Sequence, residues 1–463
     1  MNTHKEKPQK NAPHIVHWIW GLSLGGDAKN LVILAKEQKS WAQISVLTQS
    51  EQEIARQPDL LEIDIPVTTG IATKESLSAF IEKEKPDLFI MHRNGANNPL
   101  ETGLLTVLNE HKIPVFEYNT FARPDPETDS LFAGHAQLSR AAFLQYCARH
   151  KKSPQELKNH RAIGYALEPS EPISRQERDQ ARKALGIEKA DLVVSRLQRP
   201  DLRKWDPLPA LAVEKLVKQG LNIYFLVQAP PKERLDWLKT LASGHIIAIE
   251  PSTKQEILRQ TLACSDYVLN YSAIGETFGL AIAEAMMLER PVIANSTPFA
   301  DNAQVELCQP ESGSFIANSV QELCFLLSNL AKAKTNRDKL GAQSREFILR
   351  NFQSPLVELR LRKFMKEQLA AQNYPLAEKI TVPNFNDPYV LDQPWLDEFK
   401  SKITEPPKSK TETANQFGDS KLDEIKLKLL RLEDYALFLR QLPPWELYHK
   451  VSERLKKGKL RRL

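Results

Sequence analysis

The sequence is poor in cysteine and lacks long apolar segments. Four cysteines occur among 463 residues, none in a C-x-x-C pair and none close to both a second cysteine and a histidine. This spacing argues against a disulfide framework or a zinc site and favours buried free thiols. No stretch of about 18 apolar residues occurs, so no membrane-spanning helix is predicted. The short apolar run 14–24 has no small-residue cleavage site and is typical of a first strand, not of a signal peptide.

Positive charge is concentrated at one end of the chain. The formal net charge is +5, and residues 450–463 hold seven basic residues and one acidic residue, which leaves about −1 for the rest. Val451, Leu455 and Leu460 lie among these charges, a pattern typical of a basic amphipathic helix that binds an anionic membrane surface. No nucleic-acid partner is expected, because the segment lacks interleaved aromatic side chains. A solvated terminus is the alternative.

The pattern of short apolar runs predicts two α/β halves. At roughly 150 residues per domain, a chain of this length holds two or three domains. Runs of strand length, such as 44–48 and 223–227, alternate with helical patterns in both halves, which is typical of βαβ units and a parallel sheet. Two prolines in the segment 168–174 mark a linker between the halves. We therefore expect two doubly wound domains facing a crevice, with ligands at the carboxyl ends of the strands.

The predicted organisation has five parts. Two Rossmann-like domains at 1–167 and 168–355 precede a crossover helix at 356–371 that returns to the first domain. The polar, proline-rich segment 372–420 is predicted to be an extended or partly disordered linker. The last part, 421–463, is a basic helical extension. Five apolar residues near its start are predicted to share one helical face: Leu422, Ile425, Leu429, Leu432 and Ala436.

The most specific pattern is Glu276-Thr-Phe-Gly-Leu-Ala-Ile-Ala-Glu284, in which two carboxylates flank a predicted loop and helix start. The free N–H groups of a helix N-terminus favour an anion such as a diphosphate. Gly279 allows the backbone to approach it closely. Glu276 can then accept hydrogen bonds from sugar hydroxyls, and Glu284 from the two ribose hydroxyls. Two glutamates at this spacing alone are more often ordinary surface carboxylates, but the residues around them favour the functional interpretation.

This block, followed by Pro291-Val-Ile-Ala, resembles the E-x7-E signature of the retaining GT-B glycosyltransferases of the family-four type. Three other segments are similar to motifs of that family, in the same order: Leu24-Gly-Gly before a helix, Ser195-Arg-Leu through Lys204-Trp, and Glu306-Leu through Ser314-Phe. The resemblance spans roughly residues 14–371 and implies a GT-B fold. It also implies a hexosyltransferase that retains anomeric configuration and uses a UDP or GDP sugar as donor. No cofactor or metal is expected, since the chain has no DxD-type triplet.

Cations are expected beside the donor diphosphate, because negative charge grows on the leaving group as the glycosidic bond breaks. Lys204 and Arg199 are the favoured candidates and Arg196 is close behind, with solvated loop charges as the alternative. The Gly25–Gly26 pair lies either against the donor or in a simple turn. The expected catalytic residues are Glu276, Lys204, Arg199 and Asn119, and the expected donor-binding residues are Glu284, Arg196, Gly25, Gly26, Thr277, Phe278, Gly279 and Leu280.

The acceptor half departs from the family pattern. Many family members carry a histidine at the end of the strand that here reads Val115-Phe-Glu-Tyr-Asn, so Asn119 stands in its place. An amide can hydrogen-bond a sugar hydroxyl but does not titrate. His92, one strand earlier, is the alternative, and Arg123 and Asp125 are further candidates for acceptor contact. The expected acceptor is a glycan, glycolipid or protein, in polysaccharide, lipopolysaccharide or glycolipid synthesis. The expected location is the cytoplasm, with peripheral attachment to the inner membrane leaflet.

Two other functional classes stay open. A nucleotide-sugar epimerase or a phosphorylase on the same fold would need acid–base carboxylates with histidine, or a pyridoxal lysine, and neither arrangement is apparent. A non-catalytic module that binds glycans or nucleotides and docks to membranes is the second alternative. The presence of Glu276, Glu284 and Lys204 together argues against it.

Overall fold

The computed structural model of the protein describes residues 12–95, 98–242, 244–252, 255–298, 300–333, 336–404 and 420–441. The predicted basic segment 450–463 lies outside the described residues. Among the described helices, none is both long and apolar enough to cross a membrane.

The N-terminal half is a seven-stranded parallel sheet in the order β3-β2-β1-β4-β5-β6-β7. Its strands are β1 (His14–Ile19), β2 (Gln43–Thr48), β3 (Val67–Thr68), β4 (Leu88–Arg93), β5 (Val115–Asn119), β6 (Gly134–Gln137) and β7 (His160–Ala162). The helices between them are α1 (Gly26–Gln38), α2 (Gln57–Glu62), α3 (Lys74–Glu84), α4 (Pro99–Glu110) and α5 (Arg140–His150). Strands β1, β4 and β5 are buried along their whole length, as expected for a parallel sheet with helices on both faces.

The second half is a six-stranded parallel sheet in the order β10-β9-β8-β11-β12-β13. Its strands are β8 (Leu192–Leu197), β9 (Ile223–Gln228), β10 (Ile246–Ile249), β11 (Tyr267–Asn270), β12 (Val292–Ala294) and β13 (Phe315–Ile316). The helices are α6 (Arg175–Leu185), α7 (Leu208–Lys218), α8 (Leu235–Thr240), α9 (Gln255–Cys264), α10 (Leu280–Met287), α11 (Gln304–Leu307), α12 (Val320–Lys332) and α13 (Arg337–Phe352). The prediction of two doubly wound α/β domains is therefore confirmed.

The chain then returns to the first domain through α14 (Ser354–Ala371). In this helix Glu358 accepts a hydrogen bond from Trp41 Nε1 at 2.8 Å, and Phe364 packs edge-on against Phe116 of β5. The buried apolar residues of α14 thus cover the N-terminal sheet, although the helix follows the C-terminal domain in sequence.

The segment after α14, where an extended or partly disordered linker is predicted at 372–420, includes residues 381–392 without helix or strand, which lie between two helices. It contains α15 (Leu376–Lys379) and α16 (Gln393–Thr404). Its Tyr389 is buried beneath the guanidinium groups of Arg140 and Arg360, which lie 4.4 and 4.7 Å from the ring centroid. Cation–π contacts of this kind, together with the Arg360–Asp387 ion pair, hold a segment of low average hydrophobicity in place.

The last described helix, α17 (Ser420–Arg440), packs on the C-terminal domain. Arg234 pairs with Asp434 at 2.5 Å, and Arg431 pairs at 2.7 Å with Asp206, whose carboxylate also accepts the Leu208 amide at the start of α7. Leu427 is buried against the domain. The predicted apolar face points elsewhere, because four of its residues are 46–65% exposed: Leu422, Ile425, Leu429 and Leu432.

We expect Arg431→Ala to lower the free energy of unfolding by about 1–3 kcal/mol, because the buried Asp206 carboxylate loses its charged partner. Denaturant unfolding measures the change. Arg440→Ala, at the exposed end of the same helix, is the control and should change stability by less than about 0.5 kcal/mol. Equal losses in both variants would contradict a specific role for the Arg431–Asp206 pair.

Candidate active site

The candidate site lies where loops at the carboxyl ends of both sheets meet. Gly26, at the start of α1, is so close to α10 that an added Cβ would lie 3.3 Å from the Leu280 side chain. The Ser139 hydroxyl, beyond β6, donates to the Thr277 carbonyl oxygen at 2.8 Å. These contacts bring the Gly25–Gly26 turn of one domain against the Glu276–Glu284 segment of the other.

The loop between β11 and α10 depends on two glycines. Gly275 has a φ of 67°, and a Cβ there would lie 1.6 Å from the Asp301 carbonyl oxygen. Both the backbone conformation and the available space therefore require glycine at this position. Gly279 has a φ of 95° and is the N-cap of α10. Together the two residues turn the chain so that Glu276 lies on the loop and Glu284 on the helix.

Glu276 forms a half-buried ion pair with Lys204. The Lys204 ammonium lies 2.8 Å from Glu276 Oε2 and also donates to the Gly275 carbonyl oxygen at 2.7 Å. The Glu276 backbone is held on both sides, by Gln304 Oε1 at 3.0 Å and by the Ala303 amide at 2.8 Å. The structure thus brings together the two residues that the sequence predicted to act on sugar and diphosphate.

Arg196 lies beneath the Lys204 loop. Its guanidinium is fully buried and donates to the carbonyl oxygens of Arg199 and Lys204, at 3.3 and 2.9 Å, and to two further carbonyls. Burial lowers the pKa of Arg196 to about 9. The prediction that Arg196 contacts the donor is therefore corrected: its two Nη groups bind backbone carbonyls, its buried Nε has no partner among the described residues, and it supports the Lys204 loop from below.

The other arginines of this loop differ in exposure and partners. The Arg199 side chain is exposed, so it stays a candidate for donor contact. Arg203 pairs with Asp201 at 2.7 Å, and its guanidinium lies 5.3 Å from the centroid of the Phe438 ring of α17. The Arg203 carbonyl oxygen accepts the Ala273 amide in the strand-end loop that leads to Glu276. Helix α17 is therefore in contact with the loop that carries Lys204.

Glu284 is engaged across the domain boundary. Its Oε1 lies 2.5 Å from the Lys29 ammonium of α1, and both side chains are about one-third exposed. Lys29 was not among the predicted site residues, although its place on the first turn of the helix after Gly25–Gly26 is a signal that a cation faces the crevice. A cavity beside the pair is also lined by Leu197, Leu280 and residues of the segment 166–170.

The residues between the two glutamates contribute mainly through their backbone. The Phe278 ring is buried between the domains, 5.2 Å from Tyr165 and 5.1 Å from Phe352, so its side chain does not face a ligand. The first intrahelical bond of α10 runs from Ala283 N to Gly279 O at 3.0 Å. The amides of the three residues before Ala283, beginning with Leu280, precede that bond and have no helical acceptor.

Asn119 does not offer a free amide, which corrects its predicted role in sugar binding. The residue is fully buried. Its Nδ2 donates to the Arg123 carbonyl oxygen at 2.8 Å and to Glu117 at 3.2 Å, and its Oδ1 accepts the Arg123 amide at 3.2 Å. Asn119 thus closes the turn that follows β5.

His92 is also structural, contrary to the prediction that it approaches the acceptor. It is buried, and its Nε2 lies 2.9 Å from His17 Nδ1, while His17 Nε2 lies 2.7 Å from Gln38 Oε1. Burial lowers the pKa of His17 to about 4 and that of His92 well below its usual value. Both rings are therefore neutral at physiological pH.

The two remaining acceptor candidates, Asp125 and Arg123, differ in their exposure to solvent. Asp125 is buried and paired with Arg93 at 2.8 Å and with the Thr128 hydroxyl at 2.7 Å, so the prediction that it contacts the acceptor is corrected. Arg123 is exposed, with its guanidinium 5.0 Å from the Phe121 ring centroid. Arg123 alone of this pair is open to a ligand.

A second charged contact between the domains was not foreseen from the sequence. Arg149 of α5 lies 3.8 Å from Asp301, in the loop that also approaches Gly275. Burial raises the pKa of Asp301. Arg149 and Asp301 thus link the N-terminal domain to the loop that carries Glu276.

One group of the described residues has side chains close enough to share a metal ion: Glu117, Asp129 and His135, with ligand atoms within 4.8 Å of one another. These atoms already bind protein partners. His135 Nδ1 lies 2.6 Å from Glu117, and Asp129 accepts the Tyr146 hydroxyl at 2.6 Å. Arg93, 3.6 Å from Glu117, supplies positive charge there. Since this charge opposes a cation, the cluster is best described as a buried ionic network.

Comparison with solved structures identifies the architecture. A glycosyltransferase from Rickettsia africae ESF-5 matches with 13% identity and a TM-score of 0.63, over 77% of this chain and 99% of that chain. Anabaena Alr3699/HepE, in complex with UDP-glucose, matches with 14% identity and a TM-score of 0.61, over 76% and 99%. WaaB, a lipopolysaccharide outer core galactosyltransferase, matches with 12% identity and a TM-score of 0.53, over 78% and 99%. No family model and no curated protein matches the sequence. At these identities the likeness concerns the fold, and the expected GT-B architecture is confirmed.

We expect Phe278→Ala to lower the free energy of unfolding by about 3–5 kcal/mol, because it removes a buried ring between the domains. Chemical denaturation measures this loss. Phe325→Ala, which truncates a 37% exposed ring of the same domain, should cost much less. A similar cost in the two variants would show that Phe278 does not anchor the interface.

The buried histidines predict a dependence of stability on pH. Because the pKa of His17 falls to about 4 on folding, the unfolded chain binds more protons than the folded protein from about pH 6.5 down to that value. The free energy of unfolding therefore decreases as the pH is lowered through this window. For this residue the decrease from pH 7 to pH 5 is about 2 kcal/mol. His17→Gln should reduce that slope, measured by denaturant unfolding at both pH values. The exposed His111→Gln should leave it unchanged; an unchanged slope in His17→Gln would refute the assignment.

Proposed function

We propose that the protein is a glycosyltransferase that moves a hexose-type sugar from a nucleoside diphosphate sugar to an acceptor hydroxyl. The observation that carries the proposal is the Lys204–Glu276 pair, held at the start of α10 where the two domains meet. The fold supports it, because a similar fold binds UDP-glucose in the Anabaena protein.

Lys204 is suited to hold the donor diphosphate. An ammonium group has three N–H donors, and two of those of Lys204 bind Glu276 and the Gly275 carbonyl. The third is available to a phosphate oxygen, next to the helix amides that begin at Leu280. A fixed cation and a helix N-terminus stabilise the charge that grows on the leaving diphosphate, and they do so without reorganisation during the reaction.

Glu276 is suited to orient the transferred sugar. Its Oε2 binds Lys204, whereas no described residue hydrogen-bonds to Oε1. Because an ionised carboxylate oxygen accepts hydrogen bonds only, Oε1 can bind sugar hydroxyls. The contacts of its backbone with Gln304 and Ala303 keep this acceptor in place.

Glu284 is proposed to bind the ribose of the donor. In the present structure the Glu284 carboxylate is paired with the Lys29 ammonium. Donor binding then exchanges Lys29 for the two ribose hydroxyls. Breaking the Lys29–Glu284 pair costs little free energy, because solvent-exposed ion pairs contribute only about 0–1 kcal/mol to stability.

The finer features of the reaction are also proposals. Retention of anomeric configuration rests on the E-x7-E resemblance. Metal independence rests on Lys204 and the start of α10, which supply positive charge at the diphosphate. A UDP or GDP sugar is the donor in this proposal.

The acceptor is proposed to bind on the N-terminal side of the crevice, where Arg123 is exposed. A glycan, glycolipid or protein acceptor fits this proposal, with a role in polysaccharide, lipopolysaccharide or glycolipid synthesis. We place the protein in the cytoplasm, with residues 450–463 attaching it to the anionic inner leaflet.

The proposal is tested with a panel of UDP and GDP sugars, scored for binding and for hydrolysis or transfer. We expect one donor to bind and Glu276→Gln to lower its turnover by about 100-fold, with nucleotide affinity changed by less than about threefold. Lys204→Met should weaken both turnover and nucleotide binding, because it removes the diphosphate cation. Glu346→Gln, an exposed carboxylate on α13, is the matched control and should behave as the unmodified protein.

Other outcomes favour the alternatives. Conversion of a sugar nucleotide to another sugar nucleotide without acceptor would indicate an epimerase. Binding of a donor with no turnover on any acceptor would indicate a non-catalytic module. If no nucleotide sugar binds and Glu284→Gln changes nothing, the proposed function is wrong.

A further inference from the structure

A second polar cavity, here called the arginine pocket, lies away from the crevice. Its walls include four arginines: Arg175, Arg178, Arg290 and Arg337. Ser265 and Asp266 contribute from just before β11, and Arg290 comes from just before β12. The pocket is therefore at the amino ends of strands whose carboxyl ends carry the candidate active site. The four residues of β11 alone separate the two by about 13 Å.

One carboxylate at the centre of the pocket is shared between two guanidinium groups. Asp266 is buried, and its Oδ1 lies 2.8 Å from Arg182 Nη2 and 3.0 Å from Arg337 Nη1. Its Oδ2 accepts the Val193 amide at 2.8 Å. Both oxygens thus already have protein donors, and a third arginine of the pocket forms no hydrogen bond with Asp266.

Arg290 is that third arginine. Its Nε donates to the Leu262 carbonyl oxygen and its Nη1 to the Glu289 carbonyl oxygen, both at 3.0 Å. None of the described carboxylates forms an ion pair with it. Burial lowers the pKa of Arg290 to about 10, a shift that the charge of Asp266 opposes and those of Arg178 and Arg182 reinforce, so the group is still charged at neutral pH. Two carbonyl oxygens serve only part of the five N–H donors of a guanidinium, so the mostly buried Arg290 can still bind an anion.

Two further arginines of the pocket are only partly satisfied. The Nη groups of Arg337 bind Asp266 and the Asp191 carbonyl oxygen, but its buried Nε has no hydrogen-bond partner among the described residues. Within the same part of the chain, the Arg178 guanidinium reaches only its neighbour Asp179, at 3.5 Å. The lining residues comprise four arginines and three carboxylates, and one of these carboxylates, Asp338, pairs with Arg175 on the exposed rim. Positive charge and free N–H groups therefore exceed acceptors in the interior.

We propose that the arginine pocket binds an oxyanion of the phosphate class, as free phosphate or as a phosphate monoester. Arg178, Arg290 and Arg337 approach from α6, from the start of β12 and from α13. Three separate guanidinium groups match an anion with several acceptor oxygens, and guanidinium geometry suits phosphate in particular. The bound anion joins these three elements and stabilises the folded C-terminal domain by mass action.

The test is the melting temperature of the full chain in increasing inorganic phosphate, with ionic strength held constant by sodium chloride. We expect a saturable rise in the unmodified protein. Arg178→Gln and Arg290→Gln should each weaken the apparent phosphate affinity by about tenfold, which corresponds to about 1.4 kcal/mol. Arg161→Gln removes an equal charge from a surface pair of the N-terminal domain and should leave the affinity unchanged. Arg178 carries the main test, because its side chain has only one weak protein partner.

Two comparisons separate this pocket from the candidate active site and distinguish the ligand sources. Lys204→Met should keep the phosphate effect, because Lys204 lies at the other end of the sheet. A parallel titration with glycerol 3-phosphate should give the same shift if a monoester is accepted, and no shift if only the free ion fits. The proposal is overturned if phosphate does not raise the melting temperature, if Arg178→Gln and Arg290→Gln keep the full effect, or if Lys204→Met abolishes it. None of these outcomes depends on sugar transfer.

Discussion

The ion pair between Lys204 and Glu276 joins two loops of the C-terminal domain that the sequence places 72 residues apart. Each loop is built to hold its member of the pair. The Glu276 loop needs glycine at Gly275, where the Asp301 carbonyl leaves no room for a side chain. The Lys204 loop is held from below by Arg196, whose guanidinium binds backbone carbonyls and no carboxylate. This arrangement leaves the charge of Lys204 directed at the crevice.

The parts of the chain outside the two sheets support the same region. Helix α17 meets the Lys204 loop through Phe438 and Arg203, and Arg431 anchors it on Asp206. In the segment after α14, Tyr389 stacks on Arg140 of α5. Arg140 in turn pairs with Glu306 of α11, the helix that also contains Gln304, the partner of the Glu276 amide. These contacts rely on arginine, which pairs with carboxylates and stacks on aromatic rings at the same time. Segments with few apolar residues are therefore fixed to the domains by charge and cation–π contacts.

Buried charge has different consequences at the two ends of the C-terminal sheet. At the carboxyl end, Lys204 is balanced by Glu276, which lies on the loop before α10. At the amino end, Asp266 pairs with two guanidinium groups, and within the described part of the chain Arg290 hydrogen-bonds only to carbonyl oxygens. Backbone carbonyl oxygens can satisfy a buried guanidinium, as they do at Arg196. Where they accept from only part of its N–H groups, an anion can bind the remaining donors.

The sequence by itself determined the two α/β halves and the loop and helix of the Glu276–Glu284 segment, because these follow from local periodicity, glycine chemistry and motif spacing. Only the tertiary structure decided which polar side chains are free. Asn119 and His92 lie near the carboxyl ends of strands and Asp125 lies in the loop after β5, yet each is buried with protein partners. Likewise, the apolar face of α17 is exposed while Leu427 is buried. Spacing shows which residues share an element, but the partners that satisfy or cover them come from distant parts of the chain, and one sequence does not reveal those pairings.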